Sequence, residues 1–183
     1  MNYNELSHLL ESTYKPSDYV DQQLSDRGYK LDEQLSGQRA KVYLNPEGQP
    51  LVAFRGPHNM QDVGTDLAIL LGLGNKTNRM KHSKEVVKQA EAKYGKPVNA
   101  VGHSMGGYLS ENSGAKGNII TYNKASIGEK NRNPNQIDIR TKNDWVSAFV
   151  PRSDRKHTIK SKSINPFIEH RNVALRRNKY KTL

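Results

Sequence analysis

The spacing of apolar side chains divides this chain into stretches of helical and of extended period. Residues 1–36 carry the helical one. Leu6, Leu9 and Leu10 share one face of a helix opening near Asn4-Glu5-Leu6, and Pro16-Ser17-Asp18 suits the first turn of a second. The second helix holds Tyr19, Val20 and Leu24 until Gly28 stops it, and these side chains are expected in the core. From residue 40 the period changes to two. Residues 40–44, the turn Asn45-Pro46-Glu47-Gly48-Gln49 and residues 50–55 predict a hairpin whose second strand is apolar enough to be covered on both faces.

Helical spacing returns over 79–94, with Val86, Val87, Ala90 and Tyr94 inward, lysines outward and His82 on the polar side. Gly95 and Pro97 stop that helix. Strands follow at 98–101, 118–123 and 137–141, with a polar loop expected over 124–136. Strand, helix and strand in that order predict a parallel pair joined by a right-handed crossover.

Chemistry enters at Gly102-His103-Ser104-Met105-Gly106, a G-x-S-x-G pattern between the strand at 98–101 and a helix. In such a nucleophile elbow the sharp turn forces the serine into a strained conformation and pushes its hydroxyl into solvent. Glycines flank it because a Cβ there would strike the neighbouring strand or helix. The N–H of Met105, at the helix start, is placed to hold a developing oxyanion. His103 is expected to pack beside the serine rather than to act as its base.

A second stretch, Phe54-Arg55-Gly56 with Asp66-Leu67 further on, joins Gly102-His103-Ser104-Met105-Gly106-Gly107 in the same order. Together they resemble the class 3 lipase family, the fungal triacylglycerol lipase type of α/β-hydrolase, over roughly residues 40 to 175. The resemblance implies a minimal α/β-hydrolase fold, with a mostly parallel central sheet and flanking helices. It also implies that the residue after F-R-G gives its N–H to the oxyanion. Here that residue is Pro57, which has none. Either His58 takes over through a shift of the turn, or Met105 works with weaker help. Arg55 is expected to anchor the strand end. The apolar run Leu67-Ala-Ile-Leu-Leu-Gly-Leu-Gly74 is a buried helix end or, by the resemblance, a wall of the substrate cleft.

In α/β-hydrolases the acid and base follow the serine in the order Ser, Asp, His. Downstream of Ser104 the acids are Glu111, Glu129, Asp138, Asp144, Asp154 and Glu169, and the bases are His157 and His170. Asp144 is preferred because it lies just past a strand end and resembles the family's D-x-V before a short apolar stretch and a proline. A turn or cap role is its alternative. Asp138, within the strand, and Asp154, in a basic loop, read as surface charges. His170 is preferred because Asn165-Pro-Phe-Ile-Glu-His170 sets it after a turn near the chain's end, where the family keeps its histidine. His157 reads as solvated among cationic neighbours. The triad is then Ser104, Asp144 and His170, with Met105 and Pro57 or His58 at the oxyanion.

Composition adds bounds to this picture. The chain has 183 residues, read as a single domain (1–183) with an N-terminal helical segment (1–36) and a solvated basic tail (171–183). No cysteine is present, which excludes disulfides and thiolate metal sites, and the triad chemistry calls for no cofactor and no metal. Hydrophobic residues make up 34% and mean hydropathy is -0.87, low enough to expect solvated loops. No signal peptide or membrane span is visible, which is compatible with an intracellular or virus-encoded protein.

A net charge of +11 attracts phosphate, and with a lipid ester as substrate it favours an anionic membrane surface. No nucleic-acid motif accompanies the charge, so nucleic acid is not the expected partner. Lipase or phospholipase is the leading expectation. A soluble-ester carboxylesterase, or a hydrolase fold retained for binding, is the alternative. Oligomeric state stays open.

Overall fold

The computed structural model describes residues 1–15, 17–57, 77–125, 133–148, 153–160, 175 and 182–183. Helix α1 (Tyr3–Tyr14) starts with a capping box: the Asn2 side chain accepts from Glu5 N, and the Glu5 carboxylate accepts from Asn2 N. Its inner stripe is Leu6, Leu9 and Leu10, all fully buried. Helix α2 (Asp18–Ser25) is capped by the Ser17 hydroxyl and buries Val20 and Leu24. Tyr19 does not join them and is 66% exposed. Adjacent residues on a helix point about 100° apart, so once Val20 and Leu24 share the stripe, Tyr19 falls outside it.

The N-terminal helical segment also ends earlier than residue 36. Residues 30–31 form β1 (Lys30–Leu31), and the Asp32 carboxylate then turns the chain by accepting from Gln34 N and Leu35 N. Local bonding of an aspartate to the backbone outcompetes a helix that has few apolar residues to bury.

Seven strands form one sheet, ordered as they occur in the chain. After β1 come β2 (Ala40–Leu44) and β3 (Pro50–Phe54), then α3 (Asn78–Tyr94), β4 (Asn99–His103) and α4 (Met105–Asn112). The sheet is completed by β5 (Ile119–Tyr122), β6 (Gln136–Thr141) and β7 (Arg155–Ile159). β1, β2 and β3 are antiparallel, while β3 to β7 run parallel. Phe54 pairs with Gly102, His103 with Tyr122 and Thr141 with Ile159, so the carboxyl ends of five strands line one edge.

Strand β7 occupies what the sequence presents as a basic loop. Of its five residues only Ile159 is buried, so the strand exists by pairing with β6 and carries almost no apolar signal of its own.

Alternation along the strands builds two cores. On one face Leu51, Ala53, Val101, Ile120, Ile137 and Ile139 meet α1 and α2. On the other Val52, Phe54, Ala100 and Ile119 meet α3 and α4 through Val86, Val87, Ala90 and Leu109. Gly95 ends α3 in the left-handed region at φ 61°, as its position in the sequence requires. The basic tail is not simply solvated, because Leu175 is fully buried in the α1 core and Leu183 packs against it. Thr182 forms a bridge with Asn2, which ties the chain's end to its start. Among the described residues no helix is long and apolar enough to cross a membrane.

Candidate active site

Ser104 is the joint between β4 and α4. It sits at φ 56°, ψ −124°, a region that costs of order 1–3 kcal/mol for a residue with a Cβ. The surrounding bonds hold it there: Ser104 N donates to Tyr122 O at 3.0 Å, and Ser104 O accepts from Ala125 N and Gly107 N, each at 3.0 Å. The flanking glycines are steric requirements. A Cβ on Gly102 would overlap the Gly106 carbonyl, and one on Gly106 would overlap the Phe54 carbonyl. Ser104 is 1% exposed rather than pushed into solvent, because the turn packs between neighbouring strand ends, and among the described residues its Oγ has no hydrogen-bond partner. Met105 opens α4, so its N–H belongs to the first turn that lacks intrahelical acceptors.

The other wall is the turn after β3. Pro57 is buried there without an N–H to offer. The preceding donor, Gly56 N, is already engaged with Tyr14 Oη at 2.9 Å. The same hydroxyl lies 3.1 Å from His103 Nδ1, so Tyr14 ties the β3 turn to the elbow. Burial pushes the Tyr14 hydroxyl well above the ordinary tyrosine range, against smaller opposing effects of Gly56, Arg79 and Arg55, so it stays protonated. His103 is packed between the rings of Tyr14 and Tyr122, a packing role as its place in the motif suggests.

Arg79, in the first turn of α3, is a third clamp. Its Nη2 donates to Arg55 O at 2.9 Å and Gly56 O at 3.3 Å, and its Nη1 reaches Met105 Sδ at 3.7 Å. Arg55 donates to Gln38 O at 3.3 Å and secures the strand end. Tyr14 and Arg79 carry no local signal, since each acts on residues far along the chain.

Asp144 follows β6 by three residues and is fully buried. Its Oδ2 accepts from Ser147 N at 2.8 Å and from Ser147 Oγ, while Arg140 Nη2 donates to Asp144 O at 3.2 Å. The carboxylate therefore caps a turn, the alternative role that its position allowed, and does so at the same sheet edge as Ser104. β5 alone separates the strands that carry the two, roughly 10 Å of sheet.

Asp138 is a correction. It is 1% exposed inside β6, not a surface charge. Its carboxylate accepts from Thr121 Oγ1 at 2.6 Å, Gln136 Nε2 at 2.8 Å and Ser153 N. Lys124, placed by the sequence in a polar loop, is buried beside it with Nζ 3.2 Å from Asp138 and 3.1 Å from Glu111 of α4. Burial pushes the Asp138 carboxyl up, but Lys124 and the hydrogen bonds together hold it below the ordinary range. Asp154 is exposed, as expected.

His157 is not solvated either. It is half-buried in β7 with Nδ1 3.4 Å from Tyr3 Oη. Tyr3 lies at the opposite end of α1 from Tyr14, about 17 Å along the helix. His157 is thus far from the elbow, three strands along the sheet from β4. His58, His170, Glu129, Glu169 and the apolar run 67–74 lie outside the described residues.

A cleft of about 620 Å³ opens at the opposite edge of the sheet, among Tyr29, Asn45, Gln49, Asn99 and Asn118. The length of β4 separates it from Ser104, and it holds none of the triad candidates.

Comparison with known proteins shows a family and a fold. The family of the Tle-like phospholipase domain, described as phospholipase-like, matches residues 3–166. No curated protein sequence matches the chain. Among solved structures, a mutant form of MDLA from Penicillium cyclopium shares the fold with a TM-score of 0.50 and 15% identity. The match covers 87% of this chain and 77% of that one. The class 3 lipase resemblance holds at the level of a lipase-like family with an α/β-hydrolase-like fold.

Proposed function

The chain belongs to the Tle-like phospholipase family, a lipid-ester hydrolase family, and on that premise we propose that it works as a serine hydrolase with Ser104 as nucleophile. His170 takes the Ser104 proton, Ser104 attacks the ester carbonyl, and Asp144 fixes the His170 tautomer and stabilises its cation. Met105 N–H holds the oxyanion from the start of α4, joined by His58 where the turn after Pro57 allows it. His170 protonates the leaving alcohol, and water then hydrolyses the acyl-enzyme with His170 as base. The net charge of +11 favours phospholipid at an anionic membrane surface over a neutral droplet.

The observation that carries this reading is the backbone of Ser104. A buried serine held at positive φ between a parallel strand and a helix, on a track of glycines that admits no side chain, carries strain that a nucleophile-elbow role accounts for. The test is hydrolysis of p-nitrophenyl esters of short and long chains, and of phospholipid vesicles, with Ser104→Ala beside the wild type. Serine-dependent turnover that rises with chain length at an anionic interface supports the reading. Turnover confined to short soluble esters makes the protein a carboxylesterase.

One observation favours a second reading, a hydrolase fold kept for binding. Pro57 has no N–H and Gly56 N is spent on Tyr14, so the β3 turn gives the oxyanion no donor from either residue. Folded protein that neither turns over esters nor takes a label from an active-site phosphonate would establish that alternative.

A further inference from the structure

The edge that carries Ser104 and Asp144 also carries an exposed aromatic residue. In the turn after β6 the chain buries Asp144 completely and turns the next residue, Trp145, outward to 43% exposure. Lys142 and Asn143 on the same turn are exposed, and so is Lys160 directly after β7. The turn is braced: Lys142 N donates to Ile159 O at 2.9 Å, and Arg140 Nη2 donates to the carbonyls of Lys142 at 2.9 Å and Asp144 at 3.2 Å. The bond between Lys142 and Ile159 brings the turn beside the end of β7, so Trp145 and both lysines belong to one rim. Among the described residues of that rim the carboxylate, Asp144, is buried, so the exposed charges beside Trp145 on the rim are those of Lys142 and Lys160.

A large apolar ring with a polar N–H, held outward and flanked by ammonium groups, has the composition that partitions into the boundary between headgroups and acyl chains. We propose that the turn 142–145, with Lys160, docks the protein on an anionic phospholipid surface and sets the elbow edge against the membrane. The proposal rests on the lipid-hydrolase reading and names the part of the molecule that meets the bilayer. Charge selects the partner, since lysines gain from phosphate headgroups and a neutral apolar surface gives them nothing. Rigidity serves the same end, because a turn fixed to two strands transmits its depth in the membrane to Asp144 and the neighbouring strand ends.

Trp145 is the chain's sole tryptophan, so its own fluorescence reports the contact. The Ser104→Ala protein, which should not turn over lipid, is mixed with phosphatidylcholine vesicles with or without an equal part of phosphatidylglycerol. Emission should shift to the blue and be quenched by brominated acyl chains only with the anionic vesicles, and salt should reverse both effects. Lys142→Gln and Lys160→Gln should each weaken partition about five-fold, and Trp145→Ala should weaken co-sedimentation.

Unshifted, unquenched emission from Ser104→Ala, when the unsubstituted protein hydrolyses soluble esters, overturns the docking surface and leaves the hydrolase intact. So does full partition of the lysine variants. Anionic-vesicle binding by a protein without serine-dependent turnover keeps the docking surface and removes the hydrolase reading.

Discussion

Asp138 and Asp144 lie six residues apart on one strand and its exit, and both are buried. Their surroundings differ in kind. Asp138 lies mid-strand, enclosed by Lys124, Thr121, Gln136 and Ser153, with Glu111 of the elbow helix on the far side of the lysine. Asp144 stands past the strand end, with Ser147 on one oxygen, at the edge where the parallel strands deliver Ser104. The ion-pair cluster joins α4, Lys124 two residues past β5, and β6. The turn carboxylate lies at the sheet edge that carries Ser104. Burial and hydrogen bonding alone therefore do not single out a catalytic acid; the proposal for Asp144 rests on its position past the strand ends, where open α/β sheets place their sites.

The sharpest break between the two comes from removing each charge. Asp144→Asn should lower kcat by about 10⁴-fold while the protein unfolds near its normal midpoint, because an amide holds the wrong histidine tautomer. Ester turnover per folded molecule, with circular dichroism alongside, reads both effects. Unchanged turnover would remove Asp144 from the triad.

Asp138→Asn should do the converse. It leaves Lys124 with Glu111 as its remaining carboxylate, and losing one member of a buried charge cluster costs about 3 kcal/mol or more. Urea unfolding measures that loss, while kcat per folded molecule should move much less than for Asp144→Asn.

The pH dependence of this difference has a definite sign. A carboxyl held below its ordinary value stabilises the fold fully above the unfolded pKa, about 3.9, and loses that contribution as pH falls through the lower folded value. The gap in unfolding midpoint between wild type and Asp138→Asn should be constant from about pH 7 to pH 5. Below about pH 4 it should close. A gap that widens in acid contradicts the assignment of Lys124 as the stabilising partner.

The oxyanion side is a smaller test. Pro57→Ser restores a backbone donor at the turn after β3, and one such donor changes kcat by about 10²-fold. A rise toward that size places the missing donor at residue 57. No change means that the turn already supplies an N–H from His58.

The elbow, the hairpin and α3 were legible in the sequence because their causes are local. Glycines at 102 and 106 answer to collisions within a few residues or with the adjacent strand, and Gly95 ends its own helix. Asp144 was legible as a residue past a strand end. Lys124 and Asp138 were not, because their burial depends on β5 and β6 lying side by side and on Glu111 reaching across from α4. Strand β7 was missed for a related reason. Its sequence Arg-Lys-His-Thr-Ile has one buried position, and only β6 makes it a strand. Tyr19 was misplaced because helical period fixes which residues share a face, while tertiary packing decides how wide the buried stripe is.

Tyr14 gives the smallest expected effect and bears on how the two walls of the site are held. Its hydroxyl accepts from Gly56 N and lies against His103 Nδ1, so Tyr14→Phe leaves a buried N–H without an acceptor and a buried imidazole nitrogen without that neighbour. The ring, which packs on His103 and under Arg55, remains. Losing one such bond costs about 1–2 kcal/mol, well below the Asp138 change. Turnover should shift by less than ten-fold, because Arg79 still bridges the β3 turn to Met105. A larger fall in kcat with KM unchanged would mean that the turn's position depends on the tyrosine more than on the arginine. A rise would mean that Gly56 N, released from Tyr14, has turned to the oxyanion, and that this wall was holding a donor back.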